Sequence, residues 1–121
     1  MRANQVVDAG GIEAIVYCLD TFSDDAEVIA SALGALRNIN HPANHSCSVS
    51  DVIDHILKAL ENHNGEEEVQ EHGCLLLLQY ITFPLVVNKL KAKRIQSLLT
   101  EAAREYPDSC RQIVDRIKAK L

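Results

Sequence analysis

The feature that most restricts how this chain can fold is that it repeats itself. Displaced by 41 residues, Ile12, Ile15, Val16 and Leu19 fall on Ile53, Ile56, Leu57 and Leu60. At the same offset Val28, Ala32, Ala35, Leu36 and Asn38 fall on Val69, Gly73, Leu76, Leu77 and Gln79, and Pro42 matches Pro84 to within one residue. Apolar positions three and four residues apart point to helices that each bury one face. Self-similarity at a fixed period of this size marks stacked helical repeats, because one unit cannot bury its apolar face alone. A third, weaker copy follows. "RIQSLLTEAA" carries Ile95, Leu98 and Leu99 in the first pattern, and "CRQIVDRIKAKL" takes the place of the second, with Lys120 in the slot of Asn38 and Gln79.

Composition agrees with packed helices. The chain has 121 residues, enough for one domain with its own core. Apolar residues make up 47% and aromatics only 4%, with no Trp, so the core is built from Leu, Ile, Val and Ala. No stretch alternates with period two, so no strand is predicted. No apolar run approaches the roughly 18–20 residues of a membrane span, and "MRANQVVDAGG" lacks the order of a secretory signal. A cytoplasmic or nuclear protein with no membrane partner is expected. Cys18, Cys47, Cys74 and Cys110 are widely spaced without a C-x-x-C pair, and are expected to be reduced thiols.

Local signals divide each copy. "AGG" is expected to open a helix over about Ile12 to Leu19, and the Ser and Asp residues of "TFSDD" to cap a longer one that ends near Asn40, where "HP" stops it. In the second copy Ser48 or Ser50 is the expected N-cap. "NHNG" breaks the chain at Gly65, and "EEEVQEHG" opens the next helix with carboxylates that suit its dipole. Short pieces at "NQVVDA", "NHSCSV" and "LVVNKLKA" precede the pairs. Each copy thus reads as a short, a medium and a long helix.

With "GGIEAIVYCL" and "GALRNI" in the first copy, and "DVIDHILKAL" and "LLLLQYI" in the second, the chain resembles the armadillo repeat family over nearly its whole length. The family pattern runs from a small-residue turn through G-I-x-x-L-V-x-x-L to a third helix closing on A-L-x-N-L. The resemblance implies an all-α, right-handed α-solenoid of three-helix repeats spanning about 4–43, 44–84 and 85–121, as one domain or a piece of a longer repeat protein. HEAT repeats, built from two helices, are the alternative fold.

The resemblance also implies a site. In armadillo proteins the third helices line a concave groove, where an Asn in the slot of Asn38 reaches the backbone of a bound extended peptide. Asn suits this because one side chain both donates and accepts. Asn38 and Gln79 are therefore the candidate ladder, with Ser31, Gly34, Arg37, His72, Leu75 and Leu78 beside them. Many family members carry Trp just before the Asn, where Arg37 and Leu78 stand here. The competing reading is that Asn38 ends its helix and bonds local backbone, as Asn commonly does.

Other chemistry is sparse. Residues 1–88 hold three Lys/Arg against thirteen Asp/Glu, whereas residues 89–121 hold nine against four. This polarity allows an acidic partner at the C-terminal helices, a basic one nearer the N-terminus, head-to-tail association, or simply a solvated surface. Basic residues are not interleaved with aromatics, so no nucleic-acid partner is expected. His41, His45 and Cys47 in "HPANHSC", with His63 and His72 further on, lack the paired spacing of a zinc site, so no metal or cofactor is expected. No nucleophile elbow, phosphate loop or H-E-x-x-H occurs. The expected role is a non-catalytic protein-interaction scaffold. The alternative is a self-assembling segment, since the apolar face of the first copy has no evident cover; a homodimer through the solenoid ends would then be disrupted by a charge at Val6 or Ile15.

Overall fold

The computed structural model describes residues 3–39 and 49–121, with side chains of the first segment from Gly11 onward. The described residues form seven helices: α1 (Ala3–Thr21), α2 (Ala26–Leu36), α3 (Val49–Asn62), α4 (Glu67–Tyr80), α5 (Pro84–Leu90), α6 (Lys93–Glu105) and α7 (Arg111–Ala119). No strand occurs among them.

The helices pair as α1 with α2, α3 with α4 and α6 with α7, and the pairs stack. Helices α1, α3 and α6 follow one another in one layer, and α2, α4 and α7 in the other, while α5 packs on α3 and α6. The repeat predicts which residues lie between the layers. Ile12, Ile15, Leu19, Ile53, Ile56 and Leu60 are buried, as are Leu36 and Leu77 at equivalent positions of α2 and α4. Ala35 and Leu76 share a register position but not an environment, because Ala35 is exposed and Leu76 fully buried. Helix α4 has neighbours on both sides, α2 and α7, and so buries a wider face than α2 does.

Polar bonds tie each pair to the next at nearly the period of the sequence. The His63 ring nitrogen Nε2 lies 2.6 Å from the Ser23 carbonyl, 40 residues away. Gln79 Nε2 donates to the Ile39 carbonyl across the same interval at 3.4 Å. Tyr106 donates its hydroxyl to the Asn64 carbonyl, 42 residues back, at 3.3 Å. Within the second pair, buried Gln70 donates to the carbonyls of Leu60, in the last turn of α3, and of His63, both at 3.0 Å, and the His63 carbonyl also accepts the Glu66 N–H at 3.1 Å. Two exposed ion pairs, Lys89 with Asp54 at 2.9 Å and Arg94 with Glu61 at 3.0 Å, join α5 and α6 to α3.

Several expected boundaries move. The first short and medium helices are one helix, because α1 runs through Gly10 and Gly11 without a break. Gly11 serves close packing and not a turn: a Cβ there would stand 3.0 Å from Ile39 Cδ1. Helix α2 ends at Leu36, before Asn40, and the chain tightens as the Asn38 and Ile39 N–H groups donate three residues back, to Ala35 and Leu36. The cap at its start is Asp25, whose Oδ1 accepts from the N–H groups of Glu27 and Val28 at 3.1 and 3.2 Å. Ser50 lies inside α3 and is not its N-cap; Ser48 falls outside the described residues. Pro84 opens α5, at a position where its missing N–H costs no helical bond. Ile15, named with Val6 as a place where a charge would disrupt a homodimer, is 8% exposed and belongs to the core, so a charge there would also strike the fold.

Candidate functional site

The layer of α2, α4 and α7 carries the residues singled out in the sequence. None of the eight is fully buried: Ser31, Arg37, Asn38 and Gln79 are exposed, and Gly34, His72, Leu75 and Leu78 are half-buried. Helical spacing places Ser31 one turn before Gly34, and Leu75 one turn after His72.

Four of them form a linked cluster between α2 and α4. Arg37 Nη1 lies 2.9 Å from His72 Nδ1. A guanidinium only donates, so Nδ1 is the acceptor in this contact. The imidazole lies over Gly34, where a Cβ would stand 3.5 Å from His72 Nε2. Asn38 Nδ2 donates to the Gly34 carbonyl at 3.5 Å, the outer limit of a hydrogen bond. Thus the amide of Asn38 bonds its own helix, while that of Gln79 crosses to the end of α2 at Ile39. The two residues occupy one register position but bond differently.

Beyond Gln79 the same face opens into a groove between the end of α4 and α7. It is lined by Leu78, Ile81, Thr82, Arg116, Ala119 and Lys120 and encloses about 550 Å³. Lys120 stands at the C-terminal boundary of α7, as Asn38 stands just beyond α2.

Of the free thiols among the described residues, Cys18 is half-buried and the other two are packed away. Cys74 on α4 and Cys110 at the start of α7 are fully buried. A hydrogen bond to Cys110 and burial push the Cys74 thiol far above the usual thiol range, so it stays protonated. His63 and His72, considered with the metal candidates, are engaged separately by Ser23 and Arg37. His41, His45 and Cys47 lie outside the described residues. Among the described residues no group of three or more His, Cys, Asp or Glu side chains converges to hold a metal ion.

Sequence reasoning passed over Gln70 and Tyr106. The available signal for Gln70 was its register alone, next to Val69 and one turn before Cys74 in a segment otherwise rich in carboxylates; at that inward position its amide needs internal partners. Nothing local marks Tyr106, whose bond to Asn64 depends on the stacking of distant helices.

Stacked helix pairs stitched at intervals near 40 residues define a helical-repeat protein. The family model described as the LRRK2 ARM repeat matches residues 2–116, and the chain belongs to that armadillo repeat family. No curated protein and no solved structure matches the chain.

Proposed function

We propose that this chain is a non-catalytic protein-interaction module that holds a partner protein or extended peptide along the face of α2, α4 and α7. In this reading the stack is a right-handed solenoid with units of about 4–43, 44–84 and 85–121, acting in the cytosol or nucleus. Among the described residues no helix is long and apolar enough to cross a membrane.

The observation that carries the reading is the gathering of Gly34, Arg37, Asn38, His72 and Gln79 on one accessible face that continues into the groove at α7. An extended peptide brings a donor and an acceptor at nearly every residue. Asn38 and Gln79 each offer both. The bond of Asn38 to Gly34 is long and exposed, so exchanging it for a bond to a ligand costs little. Leu75 and Leu78, half-buried beside the amides, supply apolar contact.

The test is the double substitution Asn38→Ala with Gln79→Ala, compared with the unaltered chain for melting temperature and for affinity toward a partner captured from cell extract. The expected result is near-native melting with weakened binding, each lost amide contact costing about 0.5–1.5 kcal/mol. A lowered melting temperature with undiminished binding would assign both amides to helix capping and overturn their role in the face.

A further inference from the structure

The cations of the C-terminal helices differ in what engages them. Lys89 and Arg94 pair with Asp54 and Glu61, Arg104 lies near Glu101, and Lys118 donates to the Thr100 hydroxyl. Among the described residues Lys91, Lys93, Arg111, Arg116 and Lys120 have no carboxylate within ion-pair distance, and of these Arg116 and Lys120 stand exposed together on the wall of the groove between α4 and α7. Four residues apart, they project from the same side of α7, where like charges repel and destabilise a helix. The helix dipole favours cations in the last turn, but it does not require both to border an apolar floor of Leu78, Ile81 and Ala119. No carboxylate lines that floor. On α4 the carboxylates Glu67, Glu68 and Glu71 lie in the first turns, at the opposite end of the helix.

We propose that this groove binds an acidic segment of a partner protein, with an apolar side chain of the segment seated on Leu78 and Ala119 and flanking carboxylates on Arg116 and Lys120. The proposal rests on the reading of the α2, α4 and α7 layer as the interaction face and adds the chemistry of what that face selects. A volume of about 550 Å³ accommodates an inserted side chain together with neighbouring backbone. Arg116 suits a carboxylate through its planar donor fork, and Lys120 adds a mobile point charge. Anchoring by the apolar side chain removes water from the pocket and strengthens both contacts.

The experiment selects random decapeptides displayed on phage against the whole chain. Enriched peptides are then measured by fluorescence anisotropy against the native protein and Arg116→Glu with Lys120→Glu, both checked for equal helicity by circular dichroism. Both substituted residues are exposed, so folding is expected to survive. The expected peptides carry carboxylates on either side of an apolar residue and lose about tenfold or more in affinity on charge reversal, with the difference shrinking at about 1 M salt, where screening is strong. Neutral or basic winners, or winners that bind both proteins equally, overturn the acidic preference. If such winners are still displaced by Leu75→Glu, the interaction face stands and only its charge selectivity falls. Absence of any enrichment also overturns the proposal, while the Asn38 and Gln79 substitutions judge the interaction reading separately.

Discussion

Arg37 and His72, 35 residues apart in the chain, meet at 2.9 Å with the arginine donating to Nδ1 of the ring. The contact is exposed and joins the end of α2 to the middle of α4, so its contribution to stability is small while its effect on the shape of the face is local. Replacing His72 with Ala should therefore lower unfolding free energy by less than about 1 kcal/mol in urea denaturation. A much larger loss would mean that the ring supports the core.

Two glycines on neighbouring helices should respond oppositely to the same change. At Gly34 an added methyl meets the His72 ring at 3.5 Å, an ordinary contact. Gly34→Ala should raise stability by about 0.5–1 kcal/mol, since Ala loses less backbone entropy in a helix. At Gly73 the methyl would lie 2.6 Å from Leu60 Cδ2 and 3.1 Å from its Cγ, with Leu60 itself buried. Gly73→Ala should cost about 1–3 kcal/mol by overpacking. Equal effects at the two sites, read from denaturant midpoints, would contradict the approach of α3 and α4.

The core makes a plainer demand. Leu36 and Leu77 are fully buried at equivalent positions, and truncating either to Ala should cost about 2–5 kcal/mol in thermal or chemical unfolding. A cost near zero at both would refute the register of the repeat.

Gln70 tests the polar part of the interior. It is 3% exposed and satisfies two carbonyls, those of Leu60 and His63. Gln70→Ala should cost about 1–3 kcal/mol, because the buried Leu60 carbonyl loses its side-chain donor while the His63 carbonyl keeps the Glu66 N–H. Full stability in urea titration would show that the Leu60 carbonyl does not depend on the Gln70 amide.

Much of the fold was legible because burial imposes a period on the sequence. Ile12, Ile15 and Leu19 repeat as Ile53, Ile56 and Leu60, and the same inward faces appear in the structure. The Gly10–Gly11 pair was misread as a helix start. Glycine is equally at home in a turn and at a tight helix contact, and only the position of Ile39 distinguishes the two. The candidate face was legible as a set of positions, not as a set of bonds. Asn38 and Gln79 match in register, yet one bonds its own helix and the other spans 40 residues, since that difference depends on how neighbouring helices end. The groove at Arg116 and Lys120 needed the packing of α7 on α4, which the weakest copy of the repeat does not announce.

Thiol reactivity follows from burial. At pH 8 to 9 Cys74 should resist iodoacetamide in the native protein and react once the chain is denatured, because only the thiolate attacks and its hydrogen bond to Cys110 and its burial disfavour it. Mass spectrometry of labelled peptides reads the result. Rapid native labelling of Cys74 would contradict the closed packing of α4 on α7.

The central claim is that the layer of α2, α4 and α7, and not the layer of α1, α3 and α6, meets the partner. Its most direct measurement is the affinity of a captured partner for two variants of matched helicity, Leu75→Glu on α4 and Lys58→Glu on the exposed side of α3. The account predicts that Leu75→Glu weakens binding about tenfold or more, a loss of about 1.4 kcal/mol, while Lys58→Glu leaves it unchanged. Undiminished binding by Leu75→Glu together with a loss at Lys58→Glu would place the partner on the other layer and contradict it.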